Sequence, residues 1–132
     1  MKLNLSYGIS IYDFKTSVVE SFKAIDVLIN SAWVKFDGNI EKIYPQDLDY
    51  TMDVNFRAVY YLIYNLLGLL KKIHQLKYEL FIWFSANMWI NSYCVSKAGL
   101  EALKRYVEVE FSPIGIRVNA ISTCPVDTNF WD

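Results

Sequence analysis

Short apolar runs alternate with long stretches of helical periodicity, and that alternation leaves the chain few architectures. Ile25-Asp26-Val27-Leu28-Ile29 is compact and rich in β-branched residues, which suits a strand buried on both faces. Leu80 to Phe84 reads as a second such strand, and Ile116 to Ile121 as a third. Between the first two, apolar residues recur at Leu48, Met52, Phe56, Val59, Ile63, Leu66 and Leu70. Spacings of three and four predict a helix of about six turns. Asp47 is placed to cap it with Asp49 in its first turn, and Lys71 and Lys72 suit its C-terminal end. Tyr93 to Phe111 predicts a second long helix, stopped by Ser112-Pro113. A shorter amphipathic helix is expected from Lys15 to Ala24, with Val18, Val19 and Phe22 inward. Strand, helix, strand, helix, strand implies parallel strands joined by right-handed crossovers. The expected class is α/β: a partial doubly wound parallel sheet of about three strands with long helices on its faces.

Composition narrows the function classes. At 132 residues a single domain, 1–132, is expected, and 54% hydrophobic residues exclude a disordered chain. Thirteen basic and 14 acidic residues, net charge -1, form no basic run, so nucleic acid is not an expected partner. The longest apolar stretch, Ala58 to Leu70, holds three tyrosines and Asn65 and is too short to span a bilayer, so no membrane partner is expected. The two cysteines, Cys94 and Cys124, make no disulfide framework. No leader segment is evident, and a cytoplasmic location is expected. The single histidine, His74, lacks a second ligand, so no metal site is expected.

The joints between these elements carry a resemblance. Asn30-Ser31-Ala32-Trp33 follows the first apolar run, Met52-Asp53-Val54-Asn55 lies in the first long helix, and Tyr93-Cys94-Val95-Ser96-Lys97-Ala98-Gly99-Leu100 opens the second. Gly115-Ile116-Arg117-Val118-Asn119-Ala120 leads into the last strand. A lone Tyr-x-x-x-Lys means little, since about one is expected by chance among ten tyrosines and ten lysines. In this order, however, the four segments resemble the C-terminal half of the short-chain dehydrogenase/reductase family, whose Asn-Asn-Ala-Gly, structural asparagine, Tyr-x-x-x-Lys and sixth strand follow one another in the same way.

That resemblance implies a Rossmann-type sheet and NAD(P)-dependent hydride transfer between a nicotinamide and a small-molecule carbonyl or alcohol substrate, with NAD or NADP as cofactor. It implies catalytic roles for Tyr93, Lys97, Asn55 and Ser85, and cofactor contacts from Asn30, Ala32, Tyr93, Lys97 and Thr128. Tyrosine has an ordinary pKa of about 10. A lysine one turn away is expected to favour the phenolate and lower it. The asparagine resembled by Asn55 holds a water in the family's proton path. The family's two long helices form its oligomer interface, which implies a homo-oligomer.

The same comparison of motifs exposes departures. The five glycines, at 8, 38, 68, 99 and 115, never fall within four residues of each other, so the family's glycine-rich phosphate turn is absent. The first strands and the substrate lid also fall outside the resemblance. Ser85-Ala86 replaces a Ser-Ser pair, and Ser85 lies eight residues before Tyr93, closer than the family's about thirteen for its carbonyl-polarising serine. Ser85 either takes that role through a shortened loop or is an ordinary strand-end serine. Trp33 replaces a glycine beside the cofactor. Three readings stay open: an active oxidoreductase, a catalytically inactive relative that works through protein–protein contacts, and a truncated, non-functional product.

Overall fold

The computed structural model describes residues 3–5, 8–71, 77–79 and 91–121. Helix α1 (Gly8–Ser21) begins seven residues before the expected start. Ile11, Phe14 and Val18, at spacings of three and four, make its inner stripe, with Ile11 and Val18 buried and Phe14 partly so. Val18 is inward as expected, but Val19 and Phe22 are exposed. Val19 turns away from the stripe, and Phe22 lies beyond the end of the helix, though its N–H still donates to the Val18 carbonyl at 2.9 Å.

The first long helix is interrupted. Helix α2 (Pro45–Met52) starts on Pro45, whose missing N–H would have had no helical partner there, and the N-cap is Tyr44 in extended geometry. Asp47 therefore sits in the first turn, where its charge suits the helix dipole, and does not cap. A π-helical turn at Asp53–Arg57 follows, and α3 (Ala58–Leu70) completes the rod. The wider turn rotates the inward stripe. Val59, Ile63, Leu66 and Leu70 are buried as the periodicity predicts, whereas Leu48 is exposed and Met52 and Phe56 are only partly covered.

Strand β1 (Lys77–Glu79) and helix α4 (Asn91–Phe111) come next. The expected strand over 80–84 lies outside the described residues. A 3-10 turn (Ser112–Ile114) ends on Gly115 at φ 78, ψ 12, a left-handed conformation that glycine adopts without strain. Ile116 then donates to the Phe111 carbonyl at 3.2 Å, and β2 (Arg117–Asn119) starts with its middle residue, Val118, buried. β1 and β2 pair in parallel, in the register Lys77 to Arg117, Tyr78 to Val118 and Glu79 to Asn119.

The described sheet thus has two strands, not the three expected. Among the described residues, 25–29 join no ladder. Ile25 donates one hydrogen bond to the Leu69 carbonyl, Ile25 and Leu28 pack on the core, and Val27 and Ile29 are exposed. A strand exists only through a neighbour's hydrogen bonds, and side-chain composition cannot supply them. The core is a continuous cluster in which α1 and α3 pack together and α4 seats on β2 and on the π-turn, through Leu62, Leu66, Leu100, Leu103, Val107, Ile116 and Val118 among others.

Candidate functional site

Asn55 is fully buried on the π-turn, and its carboxamide acts as a clamp on the loop that follows residue 29. Its Oδ1 accepts the Val34 N–H at 2.8 Å and its Nδ2 donates to the Val34 carbonyl at 2.9 Å. This reciprocal pair satisfies both backbone groups of a loop peptide. The same Nδ2 donates to Ser96 Oγ at 3.0 Å, and Ser96 in turn donates to the Tyr93 carbonyl at 2.7 Å. One helical turn earlier, Thr51 Oγ1 donates to the Asp47 carbonyl at 2.7 Å and lies 3.4 Å from Ser92 Oγ. Thr51, Asn55, Ser92 and Ser96 thus form two polar rungs across an otherwise apolar helix contact, and all four are buried.

Tyr93 and Lys97 each follow a rung residue by one position, so they face the same way one turn apart. Tyr93 is fully buried, and Lys97 Nζ lies 5.2 Å from its ring centroid, within cation–π range. The Trp33 ring meets Tyr93 edge to face, with centroids 6.0 Å apart and planes at 80°. Lys97 is nearly as buried, at 3% exposure, and loss of water pushes its pKa down to about 8. The Tyr93 phenol is pushed up from its ordinary value, first by burial and then by the neighbouring Cys94. The direction is opposite to that expected from a lysine at this spacing. Burial disfavours the phenolate more strongly than the ammonium beside the ring stabilises it.

The structure therefore brings Tyr93, Lys97 and Asn55 into one constellation. Asn30 and Ala32 lie just before the clamped peptide, Ala32 exposed and Asn30 half-buried. Asn30 Nδ2 is buried with no hydrogen-bond acceptor among the described residues. Such a donor costs about 1–3 kcal/mol unless something accepts from it, and a ribose or phosphate oxygen has the right chemistry. The orphaned Asn30 amide and the Lys97 ammonium are both donors of the kind that a nucleotide's sugar and phosphate oxygens accept from. Ser85 and Thr128 lie outside the described residues. Among the described residues no group of acidic, histidine and cysteine side chains could hold a metal, and no helix is long and apolar enough to cross a membrane.

Ser96, Ser92 and Thr51 were not singled out by the motifs. The readable signal was a small polar residue recurring at a spacing of four on each helix, on the apolar side, which marks a buried polar contact and not a solvated face.

The geometry has known counterparts. A family model described as enoyl-(acyl carrier protein) reductase matches residues 2–132. An uncharacterised oxidoreductase of Thermotoga maritima is 35% identical over 115 residues, which cover 83% of this chain and 44% of that protein. Dehydrogenase/reductase SDR family member 6 of Danio rerio is 32% identical over 116 residues, covering 85% and 47%. A metagenomic short-chain oxidoreductase crystallised with NADP superposes with a TM-score of 0.83 at 25% identity, over 91% of this chain and 56% of that one. The chain spans about half the length of the curated relatives it matches. With the match running through nearly every residue, and with the Rossmann fold of its structural neighbours, the chain belongs to the short-chain dehydrogenase/reductase family.

Proposed function

We propose that residues 1–132 form one Rossmann-type unit that carries the proton-transfer half of an NAD(P)-dependent carbonyl–alcohol oxidoreduction. The observation that carries this reading is the buried Tyr93–Lys97 pair, locked to Asn55 through Ser96. When bound, the nicotinamide supplies a hydride to a carbonyl carbon or takes one from an alcohol carbon. Tyr93 gives its phenolic proton to the carbonyl oxygen in reduction and receives it back in oxidation. Lys97, cationic below its pKa of about 8, stabilises the phenolate left behind and reaches the ribose. Asn55 fixes the loop that carries Asn30 and Ala32, whose polar groups meet the nucleotide. Thr128 contacts the carboxamide of the ring, and Ser85 hydrogen-bonds the substrate oxygen. Both come from the family pattern. The substrate is a small carbonyl or alcohol compound.

A second reading is favoured by Trp33, whose indole lies against Tyr93 where the pattern has a glycine. An inactive member that works through protein contacts would keep the fold and lose the nucleotide. One experiment separates the two. Folded protein is titrated with NADH and NADPH, followed by nucleotide fluorescence, and turnover is compared with Tyr93→Phe. Saturable binding, with turnover abolished by the variant, supports the enzyme. A folded sample that binds neither nucleotide sinks it for this chain alone.

The outer faces of α3 and α4 are proposed as a homo-oligomer interface. Tyr60, Tyr64 and Tyr106 border a groove between these two helices, and Val109 stands exposed on the same side of α4.

A further inference from the structure

We propose that Ser96 is a positioning residue whose hydroxyl ties the backbone of Tyr93 to the Asn55 clamp and so holds the phenol in place for proton transfer. The proposal rests on the oxidoreductase reading above. Its geometry is a closed circuit. Asn55 Nδ2 donates to Ser96 Oγ, and Ser96 spends its single proton on the Tyr93 carbonyl. On the other side Asn55 grips both polar groups of Val34, whose chain neighbour Trp33 sets its ring against the ring of Tyr93. Tyr93 is thereby tied to the clamp by two routes, through its carbonyl, which lies within α4, and through its ring. Without Ser96 Oγ the helix still holds the carbonyl, but its tie to the clamp is gone and only the ring contact links the two.

The circuit lies in a water-excluded contact, with Ser96, Asn55 and Tyr93 all at 0% exposure. No solvent molecule can easily replace the hydroxyl, and successive donors in such a chain strengthen one another. Ser92 does not duplicate the link. Its hydroxyl lies at 3.4 Å from Thr51, at the limit of a hydrogen bond, and among the described residues no hydrogen bond joins that rung to Asn55. The charged and titratable groups facing the phenol on the described elements are Lys97 from its own helix and Cys94 beside it. Ser96→Ala and Ser96→Thr bring in no titratable group, so a change in Tyr93 ionisation in those two variants reports position and not a new charge.

The test uses the full chain and compares wild type, Ser96→Ala, Ser96→Thr and Ser96→Cys, each confirmed folded by circular dichroism. Turnover is followed with NADPH and 2,3-butanedione as the probe carbonyl. Ser96→Ala is expected to lower kcat by about tenfold with KM nearly unchanged, because a misplaced reacting group costs rate and not binding. Ser96→Thr, which keeps the hydroxyl, restores kcat, and Ser96→Cys, a weak donor of similar size, falls between. In parallel, Tyr93 ionisation is read as the tyrosinate absorbance difference between each protein and its Tyr93→Phe counterpart. In Ser96→Ala it is expected to move down towards the ordinary tyrosine value as the ring loosens. Threonine returns it, with the cysteine order deciding if threonine does not fit. Unchanged Tyr93 ionisation in Ser96→Ala overturns the proposal. So does a kcat loss that threonine and cysteine fail to relieve in order. A wild type without turnover counts against the oxidoreductase reading alone, and the ionisation comparison then decides the role of Ser96 by itself.

Discussion

Burying an ammonium is expensive, and Lys97 does it beside the face of the Tyr93 ring. Its pKa falls to about 8 in the folded protein, against the ordinary 10.5. Below pH 8 both folded and unfolded chains hold the proton, and the full cost of burial is present. Between about 8 and 10.5 the folded chain releases it while the unfolded chain keeps it, so stability rises with pH by up to about 3 kcal/mol. Tyr93 acts with the opposite sign. Its raised pKa keeps it protonated when unfolded tyrosine ionises, so it removes stability only above about pH 10. Urea denaturation from pH 7 to 10 is therefore expected to show rising stability. Lys97→Met should be the more stable protein at pH 7 and should lose the rise, and a parallel pH profile in the two proteins would contradict the assignment. Asn55 gives a second test. Asn55→Ala strands both groups of Val34 and is expected to cost about 3 kcal/mol. Asn55→Asp, nearly the same shape, should recover little, because a carboxylate cannot donate to the Val34 carbonyl or to Ser96. Motif and order single out Tyr93, Lys97 and Asn55 as candidates, and not Ser96, whose proposed role lies in a partner 41 positions away.

Among the elements, α3 and α4 follow their periodicity closely, since a helix satisfies its own backbone and asks of the rest only a face to cover. Two local features departed from it. The π-turn at Asp53–Arg57 adds a residue to one turn, and nothing in the apolar spacing announces it. Such turns recur at functional sites, and here the widened turn carries the inward-facing Asn55. The second departure is the stretch 25–29, strand-like in composition and unpaired among the described residues. The junction from α4 to β2 was legible at Ser112-Pro113 but depends on Gly115 at φ 78. Gly115→Ala is expected to cost about 1 kcal/mol, and Gly115→Asn, which tolerates the left-handed region better, clearly less. Equal melting temperatures for wild type and the alanine variant would show that the junction relaxes to another conformation.

Taken whole, the molecule leaves large apolar side chains in water. Tyr64 is 72% exposed, Tyr106 64% and Val109 77%, on neighbouring helix faces. If this surface joins copies of the chain, Tyr64→Glu with Val109→Glu should lower the sedimentation coefficient to that of a monomer without changing the circular dichroism spectrum. An unchanged coefficient would place the contact elsewhere or show that there is none. From sequence alone came the α/β class, the two long helical segments, the family resemblance, and the tyrosine, lysine and asparagine of the candidate site. All of these rest on interactions between residues near in sequence, or on side-chain types in order. Tertiary structure decided the rest: the parallel pairing of β1 with β2, where the helix widens, and which small hydroxyl links Asn55 to the Tyr93 carbonyl. It also decided that burial raises the Tyr93 pKa although Lys97 lies one turn away. Desolvation is set by everything packed around a group, and no spacing along a single chain encodes it.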